Sequence, residues 1–129
     1  MKLAPRYSIL NKKDREGKRN ELYKKYGTKC HYCKIEEKAF REIWGDTFYG
    51  GLKRGRRLEI DHKDPMKRES CDVNDMVLAC ALCNMAKSDK LNEQEFKQVG
   101  KVIEKIWQER LKTKSQQPIF YRETKLPTT

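Results

Sequence analysis

The stretches Leu58-Glu59-Ile60-Asp61-His62 and Met76-Val77-Leu78-Ala79-Cys80-Ala81-Leu82-Cys83-Asn84 decide the fold of this 129-residue chain. The first reads as a short strand entered from a glycine-rich basic turn that holds Gly50-Gly51, Gly55, Lys53, Arg54, Arg56 and Arg57. The second begins as another short strand, and from Cys80 onward it reads as a helix carrying Cys83, Asn84, Lys87 and Ser88. Residues 63–75 between them are polar, with Pro65 and the turn formers Asn74 and Asp75, and a connection of that length inside a compact domain is usually functional. The local order is strand, long loop, strand, helix.

Cys80 and Cys83 form a C-x2-C pair, and a second pair, Cys30-His31-Tyr32-Cys33, lies upstream. Each pair turns two sulfurs toward one point, and two pairs complete a tetrahedral four-thiolate site suited to Zn²⁺. A redox C-x2-C belongs beside a βαβ pattern, which is missing, and disulfides need an oxidising compartment, so structural zinc is the expected state. Four sulfurs leave no open position for chemistry, and the ion's role is to staple the domain. His31 is expected at the surface of its knuckle or behind the ligands. Cys71, with no paired knuckle, is expected to be an ordinary loop residue.

The flanks are read from periodicity and caps. Leu22, Tyr23 and Tyr26 predict a helix towards the end of a loose basic stretch, with Gly27 stopping it, and Ile35, Ala39, Phe40, Ile43 and Trp44 predict one helical stripe before Gly45. Asn92 and Glu95 spell a capping box with Leu91 and Phe96 as its hydrophobic staple. From there Phe96, Val99, Val102, Ile103, Ile106, Trp107 and Leu111 are expected to lay one apolar face on the domain, with Gly100 at a close approach. The expected organisation is a basic arm at 1–20, one domain at 21–112 and a polar tail at 113–129, in which only Ile119-Phe120-Tyr121 is apolar.

Thirty Lys and Arg against 19 Asp and Glu give a formal charge of +11, and the hydrophobic share is 36%. That share lies below the usual value of about 45–50%, so the core is thin and a metal staple is in keeping with it. A basic surface of this size favours a polyanion, of which nucleic acid is the commonest inside a cell. No run approaches the roughly 18–20 apolar residues of a membrane span, and Met1-Lys2-Leu3-Ala4-Pro5-Arg6 lacks a signal peptide's apolar run, so a cytoplasmic protein without a membrane partner is expected.

Asp61, His62, Asn74 and Asn84 complete the pattern. Carboxylate and amide oxygens are hard ligands for Mg²⁺ or Mn²⁺, and a neutral imidazole, with an ordinary pKa of about 6.5, is a base suited to neutral pH. Phosphodiester hydrolysis uses that set, the metal stabilising charge at phosphorus and the leaving oxygen while the base takes a proton from water.

Over roughly residues 28–90 the order C-x2-C, Asp-His, Asn, C-x2-C-Asn, Lys resembles the zinc-knuckle branch of the HNH endonuclease family, in its H-N-N variant because Asn84 stands where histidine is frequent. The resemblance implies an α+β protein with a small ββα-metal (His-Me finger) core, stapled by the four-cysteine zinc site and flanked by N- and C-terminal helices. It implies His62 as general base, Asp61 and Asn84 as holders of a catalytic Mg²⁺ or Mn²⁺, and Asn74 as the brace of the loop that orients His62. The substrate would be double-stranded DNA, cut to a 5′-phosphate and a 3′-hydroxyl. Arg54, Arg56, Arg57 and Lys87 are the candidate phosphate contacts, with Lys63, Lys67 and Arg68 as an extension, and Glu59 is expected to face away from His62. Two rivals share these features, a zinc-stabilised nucleic-acid-binding module without catalysis and a ribonuclease.

Overall fold

The computed structural model describes residues 7–45 and 56–113; Lys53 and Arg54 of the basic turn and Ile119-Phe120-Tyr121 of the tail lie outside them. In chain order the described elements are α1 (Lys12–Tyr26), α2 (Phe40–Trp44), β1 (Glu59–His62), β2 (Met76–Ala79), α3 (Ala81–Lys87) and α4 (Glu93–Thr113). β1 and β2 pair antiparallel, Glu59 opposite Ala79 and His62 opposite Met76. α3 follows β2 at once and packs on both strands, so the expected ββα unit is present within an α+β fold. All four residues of β2 are buried, which is why this strand reads as an unbroken apolar run rather than an alternating one.

Two boundaries and one buried face differ from the reading of periodicity. α1 starts at Lys12, so much of the segment read as a loose arm is helical. The Asn11 side chain caps it by accepting the Asp14 N–H at 2.8 Å, and only Leu22 is buried along its length, so an apolar stripe could not reveal it. The stripe at 35–44 is not one helix. Cys30 N–H bonds Ile35 O at 2.9 Å and Lys29 bridges to Glu36, so the knuckle takes Ile35 and Glu36 into extended backbone before a 3-10 turn at Glu37–Ala39 leads into α2. On α4 only Phe96, Gly100 and Trp107 are buried, while Val102 is 60% and Ile106 47% exposed. The apolar stripe is wider than the surface it meets, and the core takes its inner edge.

The start of α4 follows its local signals. The Asn92 side chain accepts the Glu95 N–H and the Glu95 carboxylate accepts the Asn92 N–H, both at 2.9 Å. Gly100 then lets the helix lie against the first knuckle, because a Cβ there would sit 2.4 Å from Tyr32 O and 2.7 Å from Tyr32 C. Those are backbone atoms and cannot swing aside. Overpacking costs typically about 1–3 kcal/mol, more than the roughly 1 kcal/mol that alanine gains over glycine in helix propensity. Gly100→Ala should therefore melt below the wild type, and a melting curve at or above it would show that the contact relaxes freely.

Candidate active site and metal centre

The Sγ atoms of Cys30, Cys33, Cys80 and Cys83 all lie within 4.8 Å of one another, and all four residues are buried. The Cys33 and Cys80 sulfurs are 3.7 Å apart. A regular tetrahedron with Zn–S bonds of about 2.3 Å has edges of about 3.8 Å, so the tetrad fits zinc. Cys30 and Cys33 come from a turn closed by Lys34 N–H to Cys30 O at 3.1 Å, with Lys34 in the left-handed region at φ 63°. Cys80 is the N-cap of α3, its sulfur accepting the Cys83 N–H at 3.4 Å.

Two elements, β2 and α4, are tied to this centre by groups that do not ligate it. His31 N–H bonds Leu78 O of β2 at 2.8 Å, and its Nε2 lies 2.7 Å from Glu93 at the start of α4. Burial lowers the His31 pKa, and Glu93 opposes that shift. The Trp107 indole N–H donates to Cys33 Sγ at 3.2 Å, an interaction that sequence reasoning missed because Trp107 reads as one more core position. Outer partners of metal ligands are commonly worth about 10–100-fold in affinity. Trp107→Phe keeps an aromatic side chain and removes the donor, and it should release zinc to a chelator about tenfold faster; an unchanged release rate would show the bond to be incidental.

His62 ends β1, with its Nε2 2.8 Å from Ser70 O. A carbonyl only accepts, so Nε2 carries the proton and Nδ1 is the ring's acceptor. Ser70 is held in turn by its hydroxyl, which donates to Asp75 at 2.6 Å and accepts the Asp72 N–H at 3.0 Å. That hydroxyl holds the Asp75 carboxyl below the ordinary range. Tyr7, from the segment read as a loose arm, lies edge-on to His62 with ring centroids 4.9 Å apart and donates its N–H to Glu69 O at 2.7 Å.

The side chain of Asn74 is turned elsewhere. It is exposed and accepts Lys25 Nζ at 3.2 Å, tying the loop to α1, while Asp75 makes the bond that braces Ser70.

Between β1 and α3 stand two rungs. Glu59 and Asp61 share one face of the strand, and Asn84 and Lys87 lie one turn apart on the helix. Asn84 Nδ2 donates to Glu59 at 2.8 Å, and Lys87 Nζ lies 3.4 Å from Asp61 Oδ1 and 3.3 Å from Oδ2. Lys87 also donates to His62 O at 2.7 Å, and the Tyr32 hydroxyl donates to Asp61 Oδ2 at 2.8 Å. Burial raises the Asp61 carboxyl against the pull of Tyr32 and Lys87, and burial with the Asp61 charge raises the Tyr32 hydroxyl. The assignment of Lys87 to a phosphate is corrected by this geometry, since Lys87 is 0% exposed and is spent on Asp61 and His62 O. The Asp61 carboxylate and the Asn84 amide oxygen are hard donors, a pair whose chemistry suits Mg²⁺ or Mn²⁺.

Of the expected basic contacts, Arg56 and Arg57 are exposed just before β1. Arg57 grips the Glu16 carboxylate with both terminal nitrogens at 2.9 and 3.1 Å. Lys67 and Arg68 are exposed on the loop, Lys63 and Cys71 half-buried. No helix among the described residues is long and apolar enough to cross a membrane.

No family model and no curated protein matches the chain. Among solved structures it is similar to the rare-cutting HNH restriction endonuclease PacI, at 28% identity and a TM-score of 0.53 over 64% of this chain and 55% of that one. The chain thus spans just over half the length of the protein it matches.

Proposed function

We propose that this chain, a zinc-knuckle member of the HNH family, is a metal-dependent endonuclease that hydrolyses phosphodiester bonds of DNA. The observation that carries the reading is the His62 ring, whose Nε2–H is committed to Ser70 O at 2.8 Å, so that Nδ1 is left to take a proton. His62 is the general base for the attacking water. Ser70 O holds the tautomer, and Tyr7 buttresses the ring plane. Asp61 and Asn84 are the proposed holders of a divalent ion, Mg²⁺ or Mn²⁺, which supplies charge stabilisation to the phosphorus and the leaving oxygen. Glu59 takes the amide N–H of Asn84 and so leaves its Oδ1 as the oxygen donor. Zn²⁺ in the cysteine tetrad is structural, since all four donors are buried sulfurs.

Arg56 and Arg57, with Arg54 before them, are assigned to backbone phosphates of a duplex, a role that positions the substrate without reading its sequence. The charge of +11 supports that partner. The test is supercoiled plasmid incubated with zinc-loaded protein and Mg²⁺, Mn²⁺ or chelator. Nicked or linear product that needs the divalent ion and carries ligatable 5′-phosphates is expected. Salt-sensitive binding without product under any metal would replace the nuclease by the non-catalytic module, and preferential cutting of matched RNA would make it a ribonuclease.

A further inference from the structure

Lys87 is the described residue whose place is hardest to square with a surface role. It is 0% exposed, and Asp61, to which it is paired, is 4% exposed. The ammonium lies almost equally far from both carboxylate oxygens, 3.4 and 3.3 Å, and its remaining short contact is His62 O at 2.7 Å. The Tyr32 hydroxyl closes the other side of Asp61 at 2.8 Å, and Tyr32 itself sits between the zinc ligands Cys30 and Cys33. A carboxylate held by a fixed cation and a fixed hydroxyl on a zinc-stapled turn is stable without any divalent ion, because the buried charges are paired and hydrogen-bonded.

We infer that Lys87 is the resident cation of Asp61, and that it makes the divalent-metal site weak by itself and dependent on a nucleic-acid phosphate for tight loading. The inference rests on the reading of Asp61 and Asn84 as the metal-holding pair. Asp61 and Lys87 cancel in charge and Asn84 is neutral, so the metal-holding pair and its lysine carry no net charge, and the carboxylate beside them, Glu59, is engaged by the Asn84 amide at 2.8 Å. The ion must also share Asp61 with an ammonium in direct contact, where repulsion in a buried setting is strong. A phosphodiester brings the missing negative charge and further oxygen donors, so metal and substrate bind with positive coupling that is reciprocal by linkage. A nuclease built this way loads its ion where the substrate is.

The experiment is Mn²⁺ binding to the zinc-loaded protein, read as free Mn²⁺ by electron paramagnetic resonance, with and without a DNA duplex and after subtracting the Mn²⁺ that the duplex alone takes up. The wild type should bind Mn²⁺ weakly alone, and His62→Ala, used to prevent cutting, should bind it at least about tenfold more tightly once duplex is added. Lys87→Met should bind Mn²⁺ about tenfold more tightly than wild type without DNA, while Lys87→Arg keeps the wild-type weakness. A folded Lys87→Met with unchanged or weaker Mn²⁺ affinity overturns the inference. If that variant does not fold, equal Mn²⁺ affinity of His62→Ala with and without duplex overturns it as well. Plasmid cleavage by wild type alongside either result leaves the nuclease reading standing. No cleavage, together with Mn²⁺ binding that Asp61→Asn does not change, overturns that reading and the inference with it.

Discussion

His62→Ala is expected to lose plasmid cleavage by about 10²–10⁴-fold, the usual worth of a positioned general base. The loss should come without unfolding. The ring is half-buried at the end of β1, and its polar contact is one bond to Ser70 O, while the loop is separately held by Ser70 to Asp75 and by Lys63 N–H to Asp75 O at 2.9 Å. Zinc content should be unchanged because the four ligating cysteines are elsewhere. The decisive measurement is therefore single-turnover cleavage of plasmid by a variant whose melting curve and zinc stoichiometry match wild type. Cleavage within a few-fold of wild type would remove His62 from the chemistry, and the proton would have to be taken by another group.

Cys80→Ser is expected to remove both zinc retention and the cooperative folding transition. Cys80 supplies one of four sulfurs, caps α3 through its Sγ, and stands at the junction of β2 and α3. Structural zinc in small domains binds with apparent free energies of about 10–16 kcal/mol, as large as the whole stability of a typical domain at about 5–15 kcal/mol. Losing it leaves three sulfurs sharing a buried cavity and loosens α4, whose ties to the first knuckle run through His31 to Glu93 and through Trp107 to Cys33. A chelator should reproduce the effect in wild type. Metal analysis beside circular dichroism melting checks it, and a zinc-free variant that melts normally would refute the staple. The same loss removes the support of Asp61, since Tyr32 reaches it from inside the first knuckle.

The parts of the fold that could be read from residue order are those whose causes are local. A C-x2-C pair turns its sulfurs inward by its own backbone geometry, so the two pairs by themselves point to one metal centre. The capping box of Asn92 and Glu95 lies within one turn, and both of its bonds are present. Asn11 with Asp14 is the same kind of signal, and it marks the start of α1 where no apolar stripe does. Asp61, His62 and Asn84 were recognisable as a set because their spacing around the knuckles matches a family pattern.

Their partners were not recognisable. Glu59 to Asn84, Asp61 to Lys87, Ser70 to His62 and Tyr7 against His62 all depend on which face of β1 meets α3 and where the loop closes.

Residue types and spacing determined by themselves the four-cysteine centre and the strand, loop, strand and helix order. Tertiary structure alone decided that Lys87 is spent on Asp61 inside the protein instead of reaching outward, and that Asp75, not the side chain of Asn74, braces Ser70. The physical reason is burial. A lysine in water gains little from one carboxylate, whereas the same pair enclosed between a strand and a helix must satisfy its charges on each other, and only packing determines which charges are enclosed.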